Sequence, residues 1–294
     1  MRILVTGATG FLGSAFIRQA LEAGHSVGAL VRRDAPNLPA PAMRLHGTIE
    51  APPWKLIEQF QPEACVHAAW IATPGVYLES PENAQWVAWS RSFLEGLAER
   101  GVRRMVALGT CIEYRITGHP LSETLSALDP RFPYSRAKQA LHQELRPVLE
   151  AKGATLAWAR LFYPYGPGEH PERLVSSLIR RLRAGEPVAL RTPLSVKDYI
   201  HVDDVASALG TILDQGFNGP VNVGTGDPVA VGTIARFLAE RIGRADLLQF
   251  PASPVADPLD HVVADIQTLR ALGWRPQVAL ESGLDRMLQA ASSS

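Results

Sequence analysis

Cysteine is nearly absent from this chain: Cys65 and Cys111 are the two in 294 residues. They have neither metal-ligand spacing nor the number for a disulfide framework, and such sparing use fits a reducing cytosol. Charge of one sign is missing too. The 29 basic residues meet 29 acidic ones, so the chain has no excess charge for coating nucleic acid or an anionic membrane. No apolar run approaches the roughly 18 residues of a membrane span. The N-terminal MRILVTGATG breaks from a short apolar run straight into glycines, which reads as a first strand and not as a secretory leader. These absences give the expectation of a cytoplasmic protein. Lysine is rare as well, four residues against 25 arginines, so each lysine position invites a reason.

What is present is a repeating pattern. Short apolar runs at 2–7, 26–31, 64–69 and 104–109 end in turn residues and alternate with amphipathic stretches at 13–24 and 82–101. Strands buried on both faces and separated by helices give right-handed βαβ units, hence an α/β, doubly wound parallel (Rossmann) sheet. Past residue 160 the pattern loosens into a Pro/Gly loop at 163–174, a helix ending in RRLRAG, and helical stretches at 232–243 and 265–274. The reading is a dinucleotide-binding domain over 1–165, to which 195–225 returns through strands DYIHV and PVNVG. A smaller, interleaved α/β substrate lobe follows over 166–294. The basic RRLRAG run suits a helix C-terminus better than a phosphate site.

VTGATGFLGS sets Gly7, Gly10 and Gly13 between the first strand and the first helix. A tight turn, a close approach of backbone to pyrophosphate, and helix packed hard on strand each call for a missing Cβ, and the helix N-terminus favours the phosphates. The pattern is also compatible with a purely structural turn. At the end of the second strand an NAD site normally carries an acid for the ribose hydroxyls; here Val31 stands there, followed by Arg32 and Arg33. A 2′-phosphate would be welcomed by guanidinium forks, which favours NADP(H) over NAD(H).

RFPYSRAKQALH places Tyr134 four residues before Lys138, on one face of a helix. Spacing alone leaves open whether the pair is a solvated face or working chemistry. The surrounding motifs bear on it. TGATGFLG (6–13), VHAA (66–69), ALGTCIEY (107–114), YSRAK (134–138), RLFYPYGPG (160–168), KDYIHVDDV (197–205), VNVGTG (221–226) and LGWRP (272–276) follow one another along the chain. In this the sequence resembles the extended short-chain dehydrogenase/reductase superfamily, the nucleotide-sugar epimerases, dehydratases and reductases.

The resemblance implies Tyr134 as general acid/base, Lys138 as ribose ligand and holder of a lowered phenol pKa, and Thr110 as the hydroxyl that orients the substrate oxygen. It implies a cofactor site from Gly7, Thr9, Gly10, Phe11, Leu12, Gly13, Arg32, Arg33, Thr48, Ile49, Ala68, Ala69, Tyr134, Lys138 and Leu161. For substrate it points to Tyr77, Thr110, Tyr163 in place of the usual asparagine, Lys197 in place of a phosphate-binding arginine, and Arg191 as a second candidate for that contact. It also implies a homodimer and no metal; His201, Asp203 and Asp204 read as structural. The dehydratases' Asp-Glu pair after the threonine is replaced by Cys111 and Ile112, which cannot relay protons.

The expected function is therefore an NADP-dependent ketoreductase of a nucleotide-activated keto-deoxysugar. A nucleotide-sugar epimerase with tightly bound NAD is the first alternative and a non-catalytic NADP-sensing protein the second. Trp70 is open between substrate wall and core, and Trp86, Trp89 and Phe93, at helical spacing, between core and interface.

Overall fold

The computed structural model of the protein describes residues 1–253 and 255–291; Pro254 and the last three residues of the expected smaller lobe lie outside the described residues. The first half runs β1 (Arg2–Thr6), α1 (Phe11–Glu22), β2 (Ser26–Val31), β3 (Met43–His46), α2 (Trp54–Phe60), β4 (Ala64–His67), α3 (Asn83–Glu99) and β5 (Arg104–Thr110). It continues through α4 (Pro133–Ala151), β6 (Thr155–Leu161), β7 (Tyr163–Tyr165), α5 (Leu174–Arg183), β8 (Val188–Ala189), β9 (Val196–Lys197) and β10 (Tyr199–His201). The remainder is α6 (Val202–Asp214), β11 (Gly219–Val223), β12 (Val229–Ala230), α7 (Val231–Ile242), β13 (Leu248–Gln249), α8 (Gln267–Ala271) and α9 (Leu280–Ala290).

Seven strands form one parallel sheet in the order β11-β6-β5-β4-β1-β2-β3. Ile3, Leu4 and Val5 are consecutive and all buried, because both faces of the sheet are covered. On one face lie Phe16 and Ile17 of α1 with Val205, Leu209 and Ile212 of α6. On the other lie Phe93 and Leu97 of α3 with Leu141 and Leu145 of α4. Neither α1 nor α3 has a side-chain cap bond at its start, so packing holds them; each buried Leu or Phe contributes about 1.5–3 kcal/mol. The chain changes winding direction between β1 and β4, which opens a crevice beyond their carboxyl ends.

Two segments differ from the sequence reading. PVNV joins the sheet edge as β11, but Tyr199–His201 pairs in parallel with Tyr163–Tyr165 in a separate two-stranded sheet. The buried Asp198 carboxylate explains this: it accepts from the amides of Thr225, Gly226 and Ala264 and from the Thr225 hydroxyl. Those bonds anchor the chain to the loop beyond β11. The 265–274 stretch, expected in the smaller lobe, packs on the main sheet instead. Leu269 and Trp274 enter its core, and Trp274 Nε1 donates to Ser207 Oγ at 2.9 Å. Its apolar face was legible, but the surface receiving it was not. The smaller lobe closes around Val175, Leu178, Ile234, Leu238 and Leu284 from α5, α7 and α9.

Candidate active site

The glycine turn is shaped by missing side chains. Gly7 sits at φ 64°, and a Cβ there would meet the Ala68 carbonyl carbon at 2.7 Å and the Ala69 nitrogen at 2.8 Å. A Cβ at Gly13 would collide with the Gly7 carbonyl oxygen, so the first turn of α1 lies hard against the loop. The first-turn amides of a helix have no acceptor within it and here face the crevice. His67 ties the floor together between Thr6 Oγ1 and Ser90 Oγ, each at 2.9 Å. Burial, then the nearby Lys138, drives its pKa down to about 3, so it stays neutral.

A cavity of about 770 Å³ opens from this turn. Gly7, Thr9, Gly10, Phe11, Leu12, Gly13, Arg32, Thr48, Ile49, Ala68 and Ala69 line it, so the local motifs converge as their spacing suggests. Arg33 lies outside the lining, exposed beside Arg32, and Leu161 is buried at the end of β6. The cradle fits a dinucleotide pyrophosphate, since Gly7, Gly10 and Gly13 border the cavity with backbone alone at the start of α1.

Thr110, Tyr134 and Lys138 gather at the carboxyl end of β5. Lys138 is buried; its Nζ donates to the Leu108 carbonyl at 2.8 Å, 5.8 Å from the Tyr134 ring centre and 3.7 Å from that of Trp70. The Thr110 amide donates to Glu113 Oε1 at 2.8 Å. Tyr134 packs in one apolar cluster with Cys111 and Ile112, and its ring meets Tyr77 edge-on at 4.8 Å. Trp70 both lines the cavity and stacks on Lys138, so its indole is the wall between the glycine turn and these three residues.

The lowered phenol pKa expected for Tyr134 is not found. Burial, followed by Tyr77, Glu113 and Cys111, pushes it well above the ordinary tyrosine value. The Tyr134 hydroxyl therefore stays protonated at neutral pH. Lys138 moves the other way: burial lowers its pKa to about 7, against the opposing pull of Glu113. If its charge is needed, kcat/KM falls as pH rises through about 7, where the ammonium loses its proton. A pH–rate profile checks this, and Lys138→Arg should abolish that limb.

The substrate candidates fare unevenly. Tyr77 stands against Tyr134, with the Arg173 guanidinium 5.9 Å from its ring centre. Tyr163 lies in the same apolar cluster as Tyr134. Lys197 does not offer a free charge: its buried Nζ bonds Asp257 Oδ2 at 2.9 Å and also the Leu259 carbonyl. Arg191 is exposed and outside the cavity lining. Lys197→Met is accordingly expected to lower the melting temperature while leaving substrate KM within about twofold, because a buried pair acts on folding more than on ligand. Sequence reasoning missed Arg173, Glu82 and Glu169 as lining residues, and it had placed Trp86 and Trp89 between core and interface; the structure puts both in the cavity wall. Phe93, their helical companion, is core. Arg173 makes no ion pair among the described residues and is the cation the smaller lobe turns toward the cavity. Among the described residues no His, Cys, Asp and Glu group could hold a metal, and no helix is long and apolar enough to cross a membrane.

The geometry can be set beside known proteins. The chain superposes on the UDP-glucose 4-epimerase of Thermus thermophilus in complex with NAD at a TM-score of 0.86, with 27% identity and 100% of both chains covered. It is 26% identical to the low-salt glycan biosynthesis protein Agl12 of Haloferax volcanii, covering 97% of this chain and 96% of that one. It is 25% identical to GDP-L-fucose synthase 1 of Arabidopsis thaliana, over 97% and 91% of the two chains. The profile of the NAD dependent epimerase/dehydratase family matches residues 3–224. With its Rossmann sheet, glycine turn and YxxxK helix, the chain belongs to that family, within the extended short-chain dehydrogenase/reductase superfamily.

Proposed function

We propose that the protein is a cytoplasmic NADP-dependent ketoreductase of a nucleotide-activated keto-deoxysugar. The observation that carries this reading is the end of β2. Arg32 borders the cavity, Arg33 is exposed beside it, and neither has an ion-pair partner among the described residues, while apolar Val31 holds the place of a ribose-binding acid. A 2′-phosphate would meet two free guanidinium groups there. The glycine turn would hold the pyrophosphate, Thr48 and Ile49 the adenosine end, and Ala68, Ala69 and Leu161 the nicotinamide end.

The bound reduced dinucleotide supplies hydride to the carbonyl carbon. Tyr134, held protonated by its buried setting, gives its proton to the carbonyl oxygen, and the Thr110 hydroxyl orients that oxygen. Lys138 would stabilise the phenolate left behind and would be the residue that holds the nicotinamide ribose. Cys111 and Ile112 carry no carboxyl group, and Glu113 is fully buried, which supports reduction over dehydration. The names of the relatives support a nucleotide-sugar substrate, and Arg173 with Tyr77 offers its phosphates a cation and a ring. Two copies would pair across α3 and α4; sedimentation tests that part.

Oxidation of NADPH by a panel of nucleotide-linked keto-deoxyhexoses tests the reading. Arg32→Ala should weaken NADPH by about tenfold and leave NADH unchanged; equal losses would remove the phosphate role. The match to an epimerase in complex with NAD favours a second reading, epimerisation. NAD retained through purification, with no net use of NADPH, would select it.

A further inference from the structure

Below the catalytic strand end lies an acid that the proposed chemistry leaves unused. Glu113 is fully buried, and its carboxylate is surrounded by donors: the Thr110 amide at 2.8 Å, Trp158 Nε1 at 3.1 and 3.2 Å, and Arg160 Nε at 2.9 Å. Arg160 Nη1 passes the network on to the Tyr114 hydroxyl at 3.0 Å, and that hydroxyl donates to Asn222 Oδ1 at 2.7 Å. Room for it is reserved: a Cβ at Gly109 would lie 2.8 Å from Glu113 Oε1 and collide with Trp158 Nε1. The last residues of β5 are thus gripped from two sides. Lys138 holds the Leu108 carbonyl and Glu113 holds the Thr110 amide.

We infer that Glu113 is the positioning residue of the Thr110–Tyr134–Lys138 set, fixing Thr110 through its amide and supporting the charge of Lys138 from within the core. The inference rests on the reductase reading only for its turnover measurements. Around Lys138 stand the Trp70 face from the loop after β4, His67 of β4, Tyr134 of its own helix, and Glu113. His67 is neutral and Tyr134 is protonated, so the negative charge of this surrounding is that of Glu113, offset in part by the Arg160 guanidinium 2.9 Å from it. Removing that charge leaves the ammonium less supported, and Lys138 gives up its proton at lower pH.

The test uses the full chain with Glu113→Gln, and with Glu113→Leu/Arg160→Met in case the single change unfolds by stranding Arg160. Replacing both buried charges together commonly keeps the fold. In either folded variant kcat is expected to drop about 10- to 100-fold, the penalty of a misplaced reacting group. KM should change little, and in Glu113→Gln, which leaves the Arg160 charge in place, the alkaline limb of kcat/KM should move to lower pH. The dissociation constant of NADPH, measured against pH, should show the same displacement and does not need turnover. A folded double variant with wild-type kcat, or a folded Glu113→Gln with an unmoved limb, would overturn the inference, reducing Glu113 to the counter-ion of Arg160. If wild-type protein turns over no substrate, the reductase reading fails, while the NADPH titration still decides the role of Glu113.

Discussion

Tyr134→Phe is expected to lower kcat by about 100- to 10,000-fold, the range that a positioned general acid supplies. NADPH affinity should stay within about threefold. The phenol's ring packs among Tyr77, Trp70 and the Cys111–Ile112 turn, and phenylalanine keeps every one of those contacts. What it loses is the proton. A phenol is protonated at neutral pH and burial shifts its pKa further upward, so under the proposed reduction the substitution removes the proton donor itself. Parallel losses in turnover and cofactor binding would instead mark Tyr134 as a wall of the dinucleotide site. Rapid-mixing kinetics alongside an equilibrium titration separates the two.

The second large effect concerns stability. Arg160→Met should destabilise the fold by about 3–5 kcal/mol, because it leaves a carboxylate in the core without its counter-charge. The pair is among the most enclosed in the molecule, with side chains 3% and 0% exposed for Arg160 and Glu113. The exposed pairs Arg91–Glu144 and Arg180–Glu172 contrast with it, and breaking either should change little. Urea unfolding reports the difference as a displaced midpoint at constant slope. Adding Glu113→Leu to Arg160→Met should recover part of the loss but not all of it, because the unpaired charge is gone while the Thr110 amide and the Trp158 indole are left without their acceptor.

Much of the site was legible because its parts are local. The glycine turn lies within one strand–helix connection, and Tyr134 and Lys138 within one helical turn, so spacing predicts their joint placement. The parallel sheet was legible for a similar reason: Ile3, Leu4 and Val5 form an unbroken apolar run, as strands covered on both faces do. Contacts made across the chain were not. Lys197 looked like a free charge, yet its neutraliser Asp257 stands 60 residues away in a segment with no strong pattern. Arg173 gave no signal, since its access to the cavity depends on how the smaller lobe folds back. Glu113 could have been found. Trp158 and Arg160 alternate on one face of β6, a strand enclosed on both sides, so a buried acceptor had to exist for both. For the Tyr134 phenol, sequence spacing shows the neighbouring charge but not the burial that opposes it.

Deuterium transfer tests the account most directly. NADPH deuterated at the reactive nicotinamide carbon would be incubated with the protein and a nucleotide-linked keto-deoxyhexose, and the sugar examined by mass spectrometry and NMR. The account predicts one deuterium on the former carbonyl carbon, one NADPH consumed per alcohol formed, and near-complete loss of transfer in Tyr134→Phe. An inverted sugar hydroxyl without deuterium or net NADPH use, or transfer that persists undiminished in Tyr134→Phe, would contradict it.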